Sequence, residues 1–160
     1  MGIMKASERA YTLIKVKEGF KAKQYTCPAG LPTIGYGHVL LKGESYAHLP
    51  EGISEHFATL LLEKAINITE KCINNLVKVI LTQGQFDALI SLVYNIGCKQ
   101  FSHSQALILL NNTNYEEAAY ELFSEQKGFV NIKGIKCSGL LNRRATEYKI
   151  WLSIDNEIMV

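Results

Sequence analysis

Three side chains in one short stretch have the types and the spacing that a hydrolytic site needs. Eight residues separate Glu18 from Cys27, and five more separate Cys27 from Thr33. Cleavage of a glycosidic bond needs one carboxylic acid that stays protonated and a group opposite it that handles water or the sugar cation. This spacing can bring both groups into one cleft.

Glu18 lies at the end of a helical pattern. Tyr11, Ile14 and Glu18 follow at i, i+3 and i+7, which puts the carboxyl on an apolar stripe. Gly19 is typical of a helix stop. The helix dipole at this end and partial burial both disfavour the ionised carboxylate, which suits a general acid. The alternative is a solvated glutamate at a helix end.

A β-hairpin is predicted directly after this helix. The segments 24–26 and 33–36 are short and β-prone, and Cys-Pro-Ala-Gly between them is turn chemistry, with Pro28 suited to the second turn position. Such a hairpin would fold back on the helix end and bring Cys27 and Thr33 together. Gly35 and Gly37 would allow positive φ or close approach of the backbone.

The rest of the chain is predicted to be mostly helical. We expect a first helix over residues 7–18 with Ser7 as its cap, and a long helix from Ser54 to about Val79. The apolar stripe of that long helix is predicted to be core, and it comprises Phe57, Leu61, Ala65, Ile68, Cys72, Leu76 and Val79.

Two further helices carry the spacing of a capping box. Thr82 with Gln85 begins a helix that should end at Gly97, and Asn114 with Glu117 has the same spacing. The fold class is therefore α+β and mostly α. A single domain over 1–160 is predicted, with a small N-terminal lobe with a hairpin at about 15–60, a connecting helix at about 54–79, and a C-terminal helical lobe at about 80–160 that includes the N-terminal helix.

Composition fits one soluble domain of 160 residues, 48% of them hydrophobic. The net charge of +2 is unevenly placed. Residues 1–23 and 126–149 are basic, whereas 24–125 are acidic. If the two basic segments meet in the fold, they form a face that suits an anionic polymer such as cell wall. Solvated charge is the alternative, and no nucleic-acid motif accompanies it.

No segment reaches the roughly 18 apolar residues that a membrane span needs, and the N-terminus lacks a signal-peptide pattern. The cysteines at 27, 72, 98 and 137 share no CxxC spacing and form no zinc pattern. We therefore expect reduced thiols, with Cys72 in the core, and no metal or organic cofactor.

The stretch from Glu18 to His38 resembles the catalytic signature of the phage-type lysozymes (endolysins, glycoside hydrolase family 24). That signature is Glu, eight residues, Asp or Cys, five residues, Thr, then Ile-Gly-Tyr-Gly-His. The resemblance continues through residues 85–97, 101–111 and 139–151, so it covers nearly the whole chain in order. It implies a lysozyme-like fold and a muramidase that cleaves the β-1,4 bond between N-acetylmuramic acid and N-acetylglucosamine in peptidoglycan.

In this resemblance Glu18 protonates the leaving oxygen, and Cys27 with Thr33 positions water or stabilises the oxocarbenium-like state. Cys27 departs from the Asp of most members, and a thiol is largely neutral near pH 7. Lys64 stands where relatives often have an acid that pairs with the equivalent of His38. Glu63 could substitute for it, or His38 could lack that partner, and His38 is expected to be a structural hydrogen-bonder.

The resemblance also suggests supporting residues in the C-terminal half. One of Arg143 and Arg144 would orient Glu18, because adjacent helical residues point about 100° apart and at most one can face the cleft. The alternative is two exposed arginines. Asn95, Phe101 and Ser104 match sugar-facing positions, although each could equally be a helix-end or packing residue.

The partners that follow are bacterial peptidoglycan and a holin for release of a monomeric enzyme from the host cytoplasm. Two other functions stay open at this point. A lytic transglycosylase would use Glu18 alone, and the Cys27 substitution keeps that reading open. A non-catalytic glycan-binding module would follow if Cys27 and Lys64 marked a decayed site.

Overall fold

The computed structural model describes residues 2–27, 30–132 and 134–153. The chain forms two compact units, one of residues 11–68 and one that combines the described parts of 1–10 and 69–160. The boundaries between the units fall within two helices, Glu8–Glu18 and Glu55–Leu76. The class is α+β and mostly α, which confirms the prediction.

The first helix, α1, spans Glu8–Glu18. Ser7 precedes it and accepts a hydrogen bond from the Arg9 amide at 3.3 Å, which confirms the predicted cap. Gly19 ends the helix with φ +69° and donates its N–H to the Lys15 carbonyl at 3.0 Å. A residue with a Cβ would be strained there, so the glycine fixes where the helix stops and where Glu18 lies.

The predicted hairpin follows at once as β1 (Lys21–Thr26) and β2 (Pro32–Gly35). The two strands are antiparallel, and the turn is closed by bonds from Gly30 N to Cys27 O at 2.8 Å and from Cys27 N to Leu31 O at 2.9 Å. The expected place of Pro28 in that turn lies outside the described residues. A third strand, β3 (His38–Val39), extends the sheet in the order β1–β2–β3 and was not predicted.

Gly35 allows the hairpin to pack on the long helix α2 (Glu55–Leu76). Its φ is +64°, and a Cβ at this position would lie 3.0 Å from the Ala58 Cβ. The Tyr36 hydroxyl next to it donates to a Glu55 carboxylate oxygen at 2.5 Å. Burial and this carboxylate raise the pKa of Tyr36 to about 12, so the phenol stays a donor.

Helix α2 begins as predicted, because the Ser54 hydroxyl accepts from the Phe57 amide at 3.1 Å. It ends at Leu76, three residues before the predicted end. The predicted core stripe is wrong in part, since Phe57 and Ile68 are 38% and 68% exposed. Leu61 and Cys72 are buried as predicted, and the buried face also includes Ala58, Leu62, Ile66, Thr69, Glu70 and Ile73.

Five helices and a short hairpin complete the description of the second unit. The helices are α3 (Gln83–Ile96), α4 (Cys98–Ser102), α5 (Gln105–Asn111), α6 (Tyr115–Phe123) and α7 (Ser138–Trp151), and the strands are β4 (Asn131–Ile132) and β5 (Ile135–Lys136). Aromatic and aliphatic side chains form the core here, including Phe86, Leu89, Leu92, Leu110, Leu122 and Trp151. The β4–β5 hairpin was not predicted.

The two capping predictions for this unit had different outcomes. Thr82 and Gln85 form the full reciprocal capping box of α3, and that helix ends at Gly97 with φ +86°, as predicted. Helix α6 begins after Asn114, but the Asn114 side chain makes no capping hydrogen bond. The capping-box spacing therefore predicted the start of both helices correctly, but it predicted the capping hydrogen bonds correctly only for α3.

A disulfide joins Cys72 of α2 to Cys98 at the start of α4, with the two Cα atoms 6.1 Å apart. The expectation of reduced thiols is wrong for this pair, although Cys72 is buried as predicted. The partners are 26 residues apart in sequence, and only the packing of α2 near the α3–α4 corner brings them together. Cys27 and Cys137 are outside this bond.

Replacing both Cys72 and Cys98 by Ser should lower the free energy of unfolding by about 3 kcal/mol, because a closed loop of this length restricts the unfolded chain. Urea unfolding measures this difference, with Cys137→Ser as the matched control. Dithiothreitol should destabilise the wild type and leave the double variant unchanged. An equal effect of the reductant on both proteins would show that the bond does not form.

Candidate active site

The hairpin brings three side chains to one face. Tyr25 pairs with Thr33 across the β1–β2 ladder, and the Cys27–Leu31 bond continues this register by two residues. Because side chains alternate along a strand, Tyr25 and Cys27 point to the same side, and Cys27 is the diagonal neighbour of Thr33. The register therefore places Cys27 and Thr33 side by side, as the sequence predicted.

Thr33 is almost fully buried, with 1% of its surface exposed. Its hydroxyl donates to the Leu31 carbonyl at 3.0 Å, which fixes the side chain at the end of the turn. With its proton committed to the backbone, the hydroxyl oxygen retains lone pairs that can accept from water or a thiol. The arrangement suits an accepting role for Thr33.

Glu18 and Cys27 lie near the same phenol, that of Tyr25. Burial raises the pKa of Tyr25, and the negative charges of Glu18 and Cys27 raise it further. All three side chains are half-buried. The carboxyl at the helix end and the thiol at the turn therefore both lie within electrostatic range of one hydroxyl.

Tyr25 was missed by reasoning from the sequence. The signal that could have found it is its position two residues before Cys27, which in a strand means the same face. The Lys21 ammonium lies 4.0 Å from the centroid of the Tyr25 ring. This cation–π contact holds the ring from the side of β1.

His38 bonds to an acid that the sequence analysis did not consider. Its Nε2 lies 2.9 Å from a Glu44 carboxylate oxygen, so the acid it bonds to is Glu44 and not Glu63. Glu44 also accepts from the Tyr46 hydroxyl at 2.6 Å and the Leu41 amide at 3.0 Å. These bonds tie the loop after β3 together, which agrees with a structural role for His38.

Glu44 is ionised in this network. The Tyr46 hydroxyl, then the Leu41 amide and the His38 ring, lower the pKa of Glu44 from its ordinary value of 4.5 to about 2. The same contact, with burial, raises the pKa of Tyr46 to about 12. The loop therefore depends on one carboxylate that accepts from three donors.

Arg143 and Arg144 are both buried, at 4% and 1% exposure, so the alternative of two exposed arginines is wrong. They share Glu147, which is fully buried: the Arg143 Nε lies 3.1 Å from Oε1, and the Arg144 Nε lies 2.7 Å from Oε2. The Ser91 hydroxyl donates to Oε1 at 2.6 Å. That one of the two arginines orients Glu18 stays a prediction.

Glu147 was missed, although its spacing of three and four residues after the arginines is that of helical ion pairs. Burial raises the pKa of the Glu147 carboxyl, while the charges of Arg144 and Arg143 lower it. Two guanidiniums on one carboxylate give the cluster an excess positive charge in the interior of its unit. The ion pairs, and the hydrogen bonds to Glu147 Oε1, offset part of the cost of burying these charges.

The three expected sugar contacts have different surroundings. Asn95 is exposed and accepts from the Arg144 guanidinium at 3.1 Å. Phe101 is fully buried, which corresponds to the packing alternative. Ser104 caps α5 by accepting from the Leu107 amide at 3.2 Å and donates to the Phe101 carbonyl at 2.7 Å, which corresponds to the helix-end alternative.

Within 2–27, 30–132 and 134–153, no three metal-binding side chains gather into a possible ion site. The described helices also include none with the length and apolar character to cross a membrane.

A sequence model of the family described as Phage lysozyme matches residues 15–147. An endolysin of Acyrthosiphon pisum secondary endosymbiont phage 1 is 37% identical over 150 residues, which cover 94% of this chain and 99% of that protein. The endolysin of Salmonella phage P22 is 36% identical over 152 residues, or 94% of this chain and 100% of that protein.

Solved structures of related proteins are also similar to this chain. The muramidase domain of SpmX from Asticaccaulis excentricus superimposes with a TM-score of 0.78 at 31% identity, and the match covers 94% of this chain and 99% of that one. A mutant of P22 lysozyme matches with a TM-score of 0.77 at 35% identity, with coverage of 94% and 99%.

Replacing Glu44 by Gln should destabilise the protein in a pH-dependent way. Because the folded pKa lies below the ordinary value, the stabilisation is complete above about pH 4.5 and is lost as the pH falls through about 2. We expect a deficit of about 1–2 kcal/mol at pH 7, since the side chain is only partly exposed. Urea unfolding at pH 7, 4 and 2.5 measures it, and a deficit that does not change with pH would contradict the assignment.

Proposed function

Because this chain belongs to the phage lysozyme family, we propose that Glu18, Cys27 and Thr33 are its catalytic residues. The chain is a glycoside hydrolase of the endolysin type that lyses peptidoglycan. The proposed reaction is hydrolysis of the β-1,4 bond between N-acetylmuramic acid and N-acetylglucosamine.

Glu18 is the proposed general acid. Its carboxyl is half-buried at the C-terminal end of α1, where the helix dipole opposes a negative charge. From this position the carboxyl is proposed to give a proton to the glycosidic oxygen as the bond breaks. Gly19 supports the role because it ends the helix directly after the acid.

Cys27 and Thr33 are proposed to act on the other face of the sugar. The observation that carries the proposal is the hairpin register, because it puts Cys27 and Thr33 on one face with Tyr25. The charges of Glu18 and Cys27 both raise the pKa of the Tyr25 hydroxyl. From there the thiol and the hydroxyl can hold an attacking water or stabilise the oxocarbenium-like state. Thr33 contributes an acceptor oxygen, since it donates its proton to Leu31.

The other predicted residues support the site indirectly in this proposal. His38 holds the loop after β3 through Glu44, and Ser104 caps a helix. The buried Phe101 and the two arginines of the Glu147 cluster stabilise the helical unit. We assign them no step in bond cleavage.

We further propose that the enzyme works as a monomer and reaches the periplasmic wall through a holin pore. Similarity to phage endolysins supports this route. Expression in Escherichia coli with and without a co-expressed holin tests it: lysis should require the holin. Lysis without it would reject this release route and leave the hydrolase assignment untouched.

Glu18→Gln should abolish hydrolysis while the fold is retained, because the amide is nearly isosteric but has no acidic proton. Loss of a general acid costs about 10²–10⁴-fold in rate. Release of reducing ends from purified peptidoglycan measures it, and 1,6-anhydro ends would instead indicate a transglycosylase. Glu8→Gln, in the first turn of the same helix, is the matched control and should keep full activity.

Cys27→Asp should retain activity, whereas Cys27→Ala should lose about 10²-fold, the lower end of what acid–base groups contribute. Both changes are small and sit at a half-buried turn, so the fold should survive. Cys137→Ala, another half-buried reduced cysteine, should be as active as wild type. A fully active Cys27→Ala enzyme would remove the thiol from the mechanism.

A further inference from the structure

The Tyr25 hydroxyl is open on the face of the proposed site. In the unit of residues 11–68, the hydroxyls of Tyr36 and Tyr46 donate to Glu55 and Glu44. The Tyr25 hydroxyl has no hydrogen-bond partner among the described residues, although the side chain is half-buried. A tyrosine combines an apolar ring with a polar tip, so a donor left open on this face can bind a ligand.

The backbone and a neighbouring charge fix the position of that donor. Thr33 lies directly opposite Tyr25 in the ladder, and Cys27 follows two residues later on the same face. The Lys21 ammonium covers one side of the ring at 4.0 Å from its centroid. With one side of the ring covered and the strand paired, the phenol oxygen is held at the same face as the proposed catalytic groups.

The phenol is also held in its donor form. Burial and the charges of Glu18 and Cys27 all raise the pKa of Tyr25 above its ordinary value of 10.0, so the phenol keeps its proton at neutral pH. A phenol that stays protonated beside two acidic groups can donate to a neutral oxygen acceptor. Peptidoglycan glycan strands offer such acceptors in their hydroxyl and N-acetyl oxygens.

We propose that Tyr25 is a substrate-binding residue whose hydroxyl donates a hydrogen bond to an oxygen of the glycan held beside Glu18 and Cys27. The bond places the scissile linkage relative to the hairpin face. This inference rests on the proposed function and adds a binding contact to it. The contact is made with the ground-state sugar and with the transition state alike, so its loss changes binding rather than turnover.

Tyr25→Phe removes only the donor oxygen. On soluble, uncrosslinked glycan strands we expect KM to rise by about 3- to 10-fold, the value of one neutral hydrogen bond, with kcat changed by less than about twofold. Chitotetraose binding to the inactive Glu18→Gln protein, measured by calorimetry, should weaken by the same factor when Tyr25→Phe is added. Tyr120→Phe removes an exposed phenol from α6 and is the matched control, expected to change neither value.

A second measurement follows the ionisation of Tyr25 itself. The alkaline absorbance titration of wild type minus that of Tyr25→Phe isolates one phenol. Its midpoint should fall in Glu18→Gln, because a neighbouring negative charge is lost, and should rise when chitotetraose binds, because ionisation would break the bond to sugar. If the titration midpoint is the same in Glu18→Gln and in the presence of chitotetraose as in wild type alone, the inference is overturned.

The outcomes separate this inference from the proposed function. If Tyr25→Phe has the KM and the chitotetraose affinity of wild type while Glu18→Gln is inactive, Tyr25 does not bind the glycan and the catalytic assignment stands. If well-folded Glu18→Gln hydrolyses peptidoglycan as wild type does, the catalytic assignment fails, and with it the inference drawn from it.

Discussion

The pairing of Tyr25 with Thr33 is the constraint on which the proposed site depends. Side chains alternate along a strand, so a slip of one residue in the β1–β2 register would turn Tyr25 and Cys27 away from Thr33. Two features prevent that slip. The turn is closed by the Gly30–Cys27 and Cys27–Leu31 bonds. At the other end of β2, Gly35 has a φ of +64° and lies close to Ala58, so a side chain there would be strained and crowded.

Ionised groups hold the segments that carry no regular structure. Asp87, fully buried, accepts from the Ser7 amide and hydroxyl, from Arg9 and from Gln83, and so fixes the chain before α1. Glu44 performs the same task for the loop after β3. In both cases one carboxylate satisfies several donors, which offsets the desolvation of its charge and defines a single conformation for a segment without backbone ladders.

Predictions from the sequence succeeded where the cause is local. Ser7, Gly19 and the Thr82–Gln85 box act within one helical turn, and the hairpin turn acts within four residues, so residue type alone decides the structure there. The buried face of α2 was predicted only in part, because apolar residues occur on more than one of its faces and tertiary packing selects among them. The sequence did not predict the Cys72–Cys98 disulfide or the His38–Glu44 bond for the same reason, because each depends on how separate segments come together.

For the candidate site, too, the sequence predicts the features with a local cause and not those that depend on packing. The one face shared by Cys27 and Thr33 follows from turn chemistry and strand alternation, which the sequence displays. The Glu147 cluster was within reach, since its spacing from Arg143 and Arg144 is helical, but the burial of three charged groups together is a property of the packed unit. Tyr25 shows the remaining gap most clearly. Its face could be read from the strand period, whereas the open hydroxyl depends on the folded surroundings, in which the nearby phenols of Tyr36 and Tyr46 have acceptors and that of Tyr25 has none among the described residues.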